Sequence, residues 1–148
     1  MYKHILVATD GSKLSLKAVK SAANLASELG ARLSALYVMP EYLPPSYGEA
    51  ALYVPVMTAK DFKSAMQKEA DKAMAHVARV ADGADMTFTR LKVTDPMPWN
   101  AIIRTARTMK CDLIVMASHG RRGLAGLVLG SETTKVLTHS KVPVLVVR

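Results

Sequence analysis

Cysteine is almost missing: Cys111 is the one thiol in 148 residues. A single thiol closes no internal disulfide, and its rarity fits a reducing, cytoplasmic setting. No Cys/His group has zinc-like spacing. Aromatic residues make up only 5% of the chain, with phenylalanine at positions 62 and 88 alone. No aromatic platform therefore interleaves with the basic residues, as binding of single-stranded nucleic acid requires. The formal charge of +8 is scattered over positions such as Lys13, Lys17, Lys20, Lys60 and Lys63. That spacing suits solvated helix faces better than a nucleic-acid footprint. Long apolar runs are also lacking, so no membrane span is expected. The opening "MYKHILVATD" turns polar too soon for a secretory leader. Neither a G-x-x-x-x-G-K-[ST] loop nor a G-x-G-x-x-G fingerprint occurs.

What the chain does contain is a regular alternation. "HILVAT" (4–9) reads as a buried strand, followed by Ser12, suited to cap a helix. Leu16, Val19, Ala22, Ala23, Ala26 and Leu29 recur at helical spacing, and Gly30 is placed to end that helix. Strands are predicted at 31–38, 86–93, 111–118 and 142–147, and further helices at 62–81, 98–110 and 131–140. Strands alternating with helices predict one α/β domain over 1–148, a doubly wound five-stranded parallel sheet with about four helices on its two faces. Met57, Met66, Met74 and Met97 read as core filler. Residues 39–58, rich in proline and tyrosine, read either as a flap over one sheet end or as a surface excursion.

The densest signal is "MASHGRRGLAGLVLGSET", 116–133, with glycines at 120, 123, 126 and 130. It joins a strand to a helix. Glycine lets the backbone approach a ligand closely and adopt positive φ. A helix starting near Ser131 offers unpaired N–H groups and a positive dipole end. The hydroxyls of Ser131 and Thr133 add donors, and Glu132 lies between them. Gly120 and Gly130 can enclose one anion, which His119, Arg121 and Arg122 could screen, although the arginines are better suited to facing water. No base–nucleophile pair or carboxylate dyad accompanies the loop.

This stretch resembles the C-terminal signature of the universal stress protein family, and "ILVATDGS" resembles that family's first strand. Its nucleotide-binding members carry Gly, two residues, Gly, nine residues, then Gly followed by Ser or Thr. Gly120 and Gly130-Ser131 match the later positions; Ala117 stands at the first glycine. The resemblance implies strand order 3-2-1-4-5, as in adenine nucleotide alpha hydrolase-like folds. It implies a sensor or regulator binding ATP, or AMP or ADP, with Mg²⁺ carried on the phosphates where ATP is bound. Weak ATP hydrolysis and a scaffold without nucleotide are the alternatives. The matching site residues are Ala8, Thr9 and Asp10, a backbone contact at Val38, Met116 and Ala117 at the nucleoside end, and Gly120, Gly130, Ser131, Glu132 and Thr133 around the phosphates. In that strand order the ligand site falls at the switch point between strands one and four. Asp10 is read as a ligand contact, with an Asx turn as the plainer role. Ala117 costs little in ordinary β conformation but would distort a site needing positive φ. The last strand is apolar at nearly every position, hence expected to be buried on both faces, yet it is a sheet edge. A homodimer through 142–147 is expected.

Overall fold

The computed structural model describes residues 1–44, 57–83, 86, 88–121 and 129–148. The elements are β1 (His4–Ala8), α1 (Lys13–Leu29), β2 (Arg32–Met39), α2 (Ala59–Asp82), β3 (Phe88–Thr94), α3 (Pro98–Thr108), β4 (Leu113–Ala117), α4 (Ser131–His139) and β5 (Val144–Val147). All pairings are parallel, in the order β3-β2-β1-β4-β5. The chain thus has the expected doubly wound α/β sheet. Alternation of side chains across β1 divides the core in two. Ile5 and Val7 pack with Ala18, Ala22, Ala73 and Val77 of α1 and α2. Leu6 packs with Ile102 and Ala106 of α3 and Val136 of α4. Two helices therefore cover each face.

Local chemistry sets the helix limits. Ser12 accepts from the Ser15 N–H to begin α1, and Gly30, at φ 62°, ends it by donating back to Ala26 and Ser27. α2 starts three residues before the predicted 62 because Thr58 caps it, accepting from the Asp61 N–H at 3.1 Å. Pro98 opens α3, whose cap residue Met97 has no capping side chain. The carboxylate of Asp112, just before β4, accepts from the N–H groups of Lys3 and His4 at 2.8 and 2.9 Å. It fixes the lower end of β1 against the start of β4.

Three expectations need correction. Met57 and Met97 are 52% and 46% exposed, while Met74 is buried; the first two sit at helix entrances, beyond the periodic stripe. β5 begins at Val144 rather than Val142, and it is only half-buried, with Leu145 39% exposed. As an edge strand it has a hydrogen-bonded neighbour, β4, on one side only. Most of the supposed flap, 45–56, lies outside the described residues, as do Arg122, Gly123 and Gly126.

Candidate functional site

A cleft of about 640 Å³ opens at the carboxyl ends of the strands. Ala8, Thr9, Asp10, Val38, Met116, Ala117, His119, Gly120, Arg121, Gly130, Ser131, Glu132 and Thr133 all line it. The structure thus brings every described candidate residue to one place, where β1 and β4 diverge. Leu36, Val38, Pro40, Pro98, Ile102 and Met116 make one wall apolar. The N-terminus of α4 stands at the other end.

Asp10 organises the floor. One carboxylate oxygen accepts from the Ser12 N–H at 2.9 Å, and the other from the Arg121 N–H at 2.7 Å. Burial alone would raise the pKa of this carboxyl. Hydrogen bonds from Ser12, Arg121 and Ser15 outweigh burial and hold it below the usual carboxylate value. The Asx turn is therefore real, and the same side chain also fastens the loop that follows β4. Thr9 assists: its hydroxyl lies 2.9 Å from Ser15 Oγ and accepts from the Gly11 N–H at 3.1 Å. Gly11 turns the chain at φ 78°, a conformation that side chains resist.

Gly120 and Gly130, the described glycines of the long loop, do not adopt the positive φ expected of them. Gly130 has φ −73°, and Gly120 is not among the positive-φ glycines. What each requires is space. A Cβ on Gly120 would stand 2.6 Å from Asp10 Oδ2. A Cβ on Gly130 would stand 3.2 Å from the His119 Cα. Close approach of protein to protein explains both residues. The Gly130 N–H donates to the Ser118 carbonyl at 2.7 Å, which seats α4 against the end of β4. Ala117 lies within β4, in register with Val147, and has no positive φ. Its methyl therefore introduces no backbone strain.

Several of these side chains have partners within the protein. The Thr133 hydroxyl donates to the Ala117 carbonyl at 2.9 Å inside the protein, so its one proton is not offered to the cleft. The Glu132 carboxylate accepts from the Trp99 N–H at 2.8 Å. It caps α3 from α4 and supplies what Met97 lacks. The Arg121 guanidinium, 48% exposed at the surface, reaches Glu69 on α2 at 3.3 Å. His119 Nδ1 lies 3.2 Å from Ser118 Oγ. Ser131 remains as an exposed hydroxyl in the first turn of α4.

The cleft also contains residues that sequence reading missed. Asp95 and Pro96 follow β3 and line the wall beside Leu36 and Val38. Asp95 is 7% exposed; it accepts from the Met97 N–H at 2.8 Å and from Arg104 Nη2 at 2.8 Å. The string "DPMP" carries the turn chemistry of this wall, but nothing in it announces that the carboxylate turns inward. Among the described residues no group of three or more His, Cys, Asp or Glu is arranged to hold a metal ion. No helix among them is long and apolar enough to cross a membrane.

The family model described as the universal stress protein family matches residues 1–148. A universal stress protein of Methanocaldococcus jannaschii is 34% identical, over all of this chain and 83% of the relative. One from Bacillus subtilis is 33% identical over the full length of both. Among solved structures, a universal stress protein in complex with cAMP is 27% identical with a TM-score of 0.73, covering 99% of this chain and 97% of its own. Strand order, the cleft at the switch point and these matches agree, and the chain belongs to the universal stress protein family.

Proposed function

We propose that the cleft binds an adenine nucleotide, ATP or its mono- or diphosphate, and that the protein acts as a nucleotide-dependent sensor or regulator. The observation that carries this reading is the cleft's polarity. One end offers the N–H groups and dipole of α4 with the Ser131 hydroxyl, suited to phosphate. The other offers apolar walls from Leu36, Val38, Ile102 and Met116, suited to a planar base. The solved relative with cAMP holds a ligand of the same chemical class. Val38 supplies backbone groups beside the base, and Thr9 and Asp10 lie where a ribose would rest. His119 and Arg121 flank the phosphate end. Donors at that end are fewer than the sequence suggests, since Thr133 is engaged with Ala117. A Mg²⁺ ion accompanying a triphosphate would be held mainly by the phosphates, with Asp10 and Glu132 the nearest cleft carboxylates.

The reading extends to assembly and location. One domain spans the chain, and the exposed edge of β5 pairs with β5 of a second copy about a two-fold axis. Cys111 is buried, its thiol pushed up to about 11 by burial and then by the nearby Asp112 charge. That the chain has a single cysteine suits the reducing cytoplasm. Denaturing the purified protein and analysing the released small molecules by mass spectrometry tests the central reading. Stoichiometric AMP, ADP or ATP is expected. A protein that releases none, and takes up none when supplied with millimolar ATP, would remove it.

A further inference from the structure

The least expected group in the cleft is the carboxylate of Asp95. It sits at the carboxyl end of β3, three strands from β4 in the order β3-β2-β1-β4. At about 4.8 Å per strand, that places it about 14 Å from the glycine loop. It is therefore at the end remote from the helix N-terminus that would receive phosphate. Leu36, Val38, Pro40 and Pro96 line the same cleft. A carboxylate in an apolar wall is costly unless paired, and here it is paired. The Met97 N–H reaches Oδ1 and Arg104 reaches Oδ2, each at 2.8 Å. Ionised carboxylate has about four lone-pair sites and is an acceptor only. Two sites are filled from the protein side, and acceptor capacity remains in a side chain that lines the cleft.

We infer that Asp95 is a specificity-determining residue, which accepts a hydrogen bond from the exocyclic amino group of the bound base. This rests on the adenine-nucleotide reading above. An acceptor at the base end favours a 6-amino purine, whose amino group donates. It disfavours a 6-oxo purine, whose carbonyl oxygen would face the carboxylate with neither proton nor attraction. Sites built to hydrogen-bond a ligand N–H reject analogues that lack it, because the buried group is left unpaired. Arg104 is 59% exposed and holds Asp95 from outside the cleft; it positions the carboxylate and does not itself meet the base.

The test compares ATP with ITP, in which an oxo group replaces the 6-amino donor and N1 carries a proton, by calorimetric titration. The wild type is expected to bind ATP at least about tenfold more tightly, as loss of a hydrogen bond to a charged group requires. In Asp95→Asn the amide can donate as well as accept, so the ATP-to-ITP ratio should fall towards one. In Arg104→Gln the carboxylate remains but loses its outer tether, so the ratio should fall part of the way from the wild-type value towards that of Asp95→Asn. The ratio is the readout because a general loosening of the wall would weaken both ligands together. Equal affinity of the wild type for ATP and ITP would overturn the inference, as would a ratio unchanged by Asp95→Asn. Failure of both nucleotides to bind the wild type would instead overturn the nucleotide reading, and this assignment with it.

Discussion

Replacing Gly120 with alanine probes the most tightly specified contact around the cleft. A Cβ there would meet Asp10 Oδ2 at 2.6 Å, a separation that real side-chain carbons do not tolerate. The carboxylate cannot retreat freely, because its other oxygen is held by the Ser12 N–H at 2.9 Å. Relief must therefore come from breaking the Asp10–Arg121 bond or from shifting the loop. Overpacking costs about 1–3 kcal/mol. Losing a hydrogen bond to a charged acceptor costs about 1.5–3 kcal/mol. These are two descriptions of one event, so a loss of about 2–3 kcal/mol is expected and not their sum. At this chain length that lowers Tm by roughly 4–12 °C. Urea denaturation of wild type, Gly120→Ala, Asp10→Ala and the double variant gives the assay. With the carboxylate gone, Gly120→Ala should cost less than about 0.5 kcal/mol, so the two sites are strongly coupled. Full stability of Gly120→Ala, or a cost that persists in the Asp10→Ala background, would refute the steric argument.

Further outcomes follow from other contacts. Ala117→Gly installs the glycine of the family pattern in an ordinary strand; it should lower stability by about 0.5–1 kcal/mol and leave nucleotide affinity unchanged within about threefold. A large gain in affinity would show that the methyl obstructs the ligand. His4 is 4% exposed and held 2.8 Å from Ser34 Oγ. Burial, and then the charge of Arg32, lowers its pKa below 6.5. Because the unfolded chain takes up this proton first, stability is fully present above about pH 6.5 and declines as pH falls from there towards the lower folded value. His4→Asn should flatten that decline in denaturation measured from pH 7.5 to 5; an unchanged pH dependence would clear His4 of the effect. For assembly, light scattering should give twice the 16.0 kDa chain mass, and Val146→Pro should shift the protein towards monomer. A wild type that stays monomeric at high micromolar concentration would refute edge pairing.

Much of the fold was legible because it is written in short-range chemistry. β1 and β4 are apolar runs, and Ser12 and Gly30 bracket α1 with the residues that caps require. The position of the cleft followed from strand order alone. Individual roles were harder to read because they depend on partners far away in sequence. Asp10 meets Arg121 across 111 positions, and Glu132 caps Trp99 across 33. Nothing near Thr133 reveals that its hydroxyl turns back onto Ala117. Of the loop glycines, the two that are described, Gly120 and Gly130, need space beside Asp10 and His119 rather than positive φ. Asp95 was hidden because an aspartate before proline is ordinary turn chemistry; only the folded chain shows it among the residues that line the cleft.

The central claim is that the N-terminus of α4 receives phosphate, and charge at Ser131 tests it most directly. Ser131 is exposed in the first helical turn, where an acidic side chain suits the helix dipole and should leave stability unchanged or slightly higher. The same charge would repel a bound phosphate. Calorimetric titration with ATP should therefore show binding to the wild type and at least about tenfold weaker binding to Ser131→Asp, about 1.4 kcal/mol, with no fall in Tm. Equal affinity in the two proteins would contradict the account.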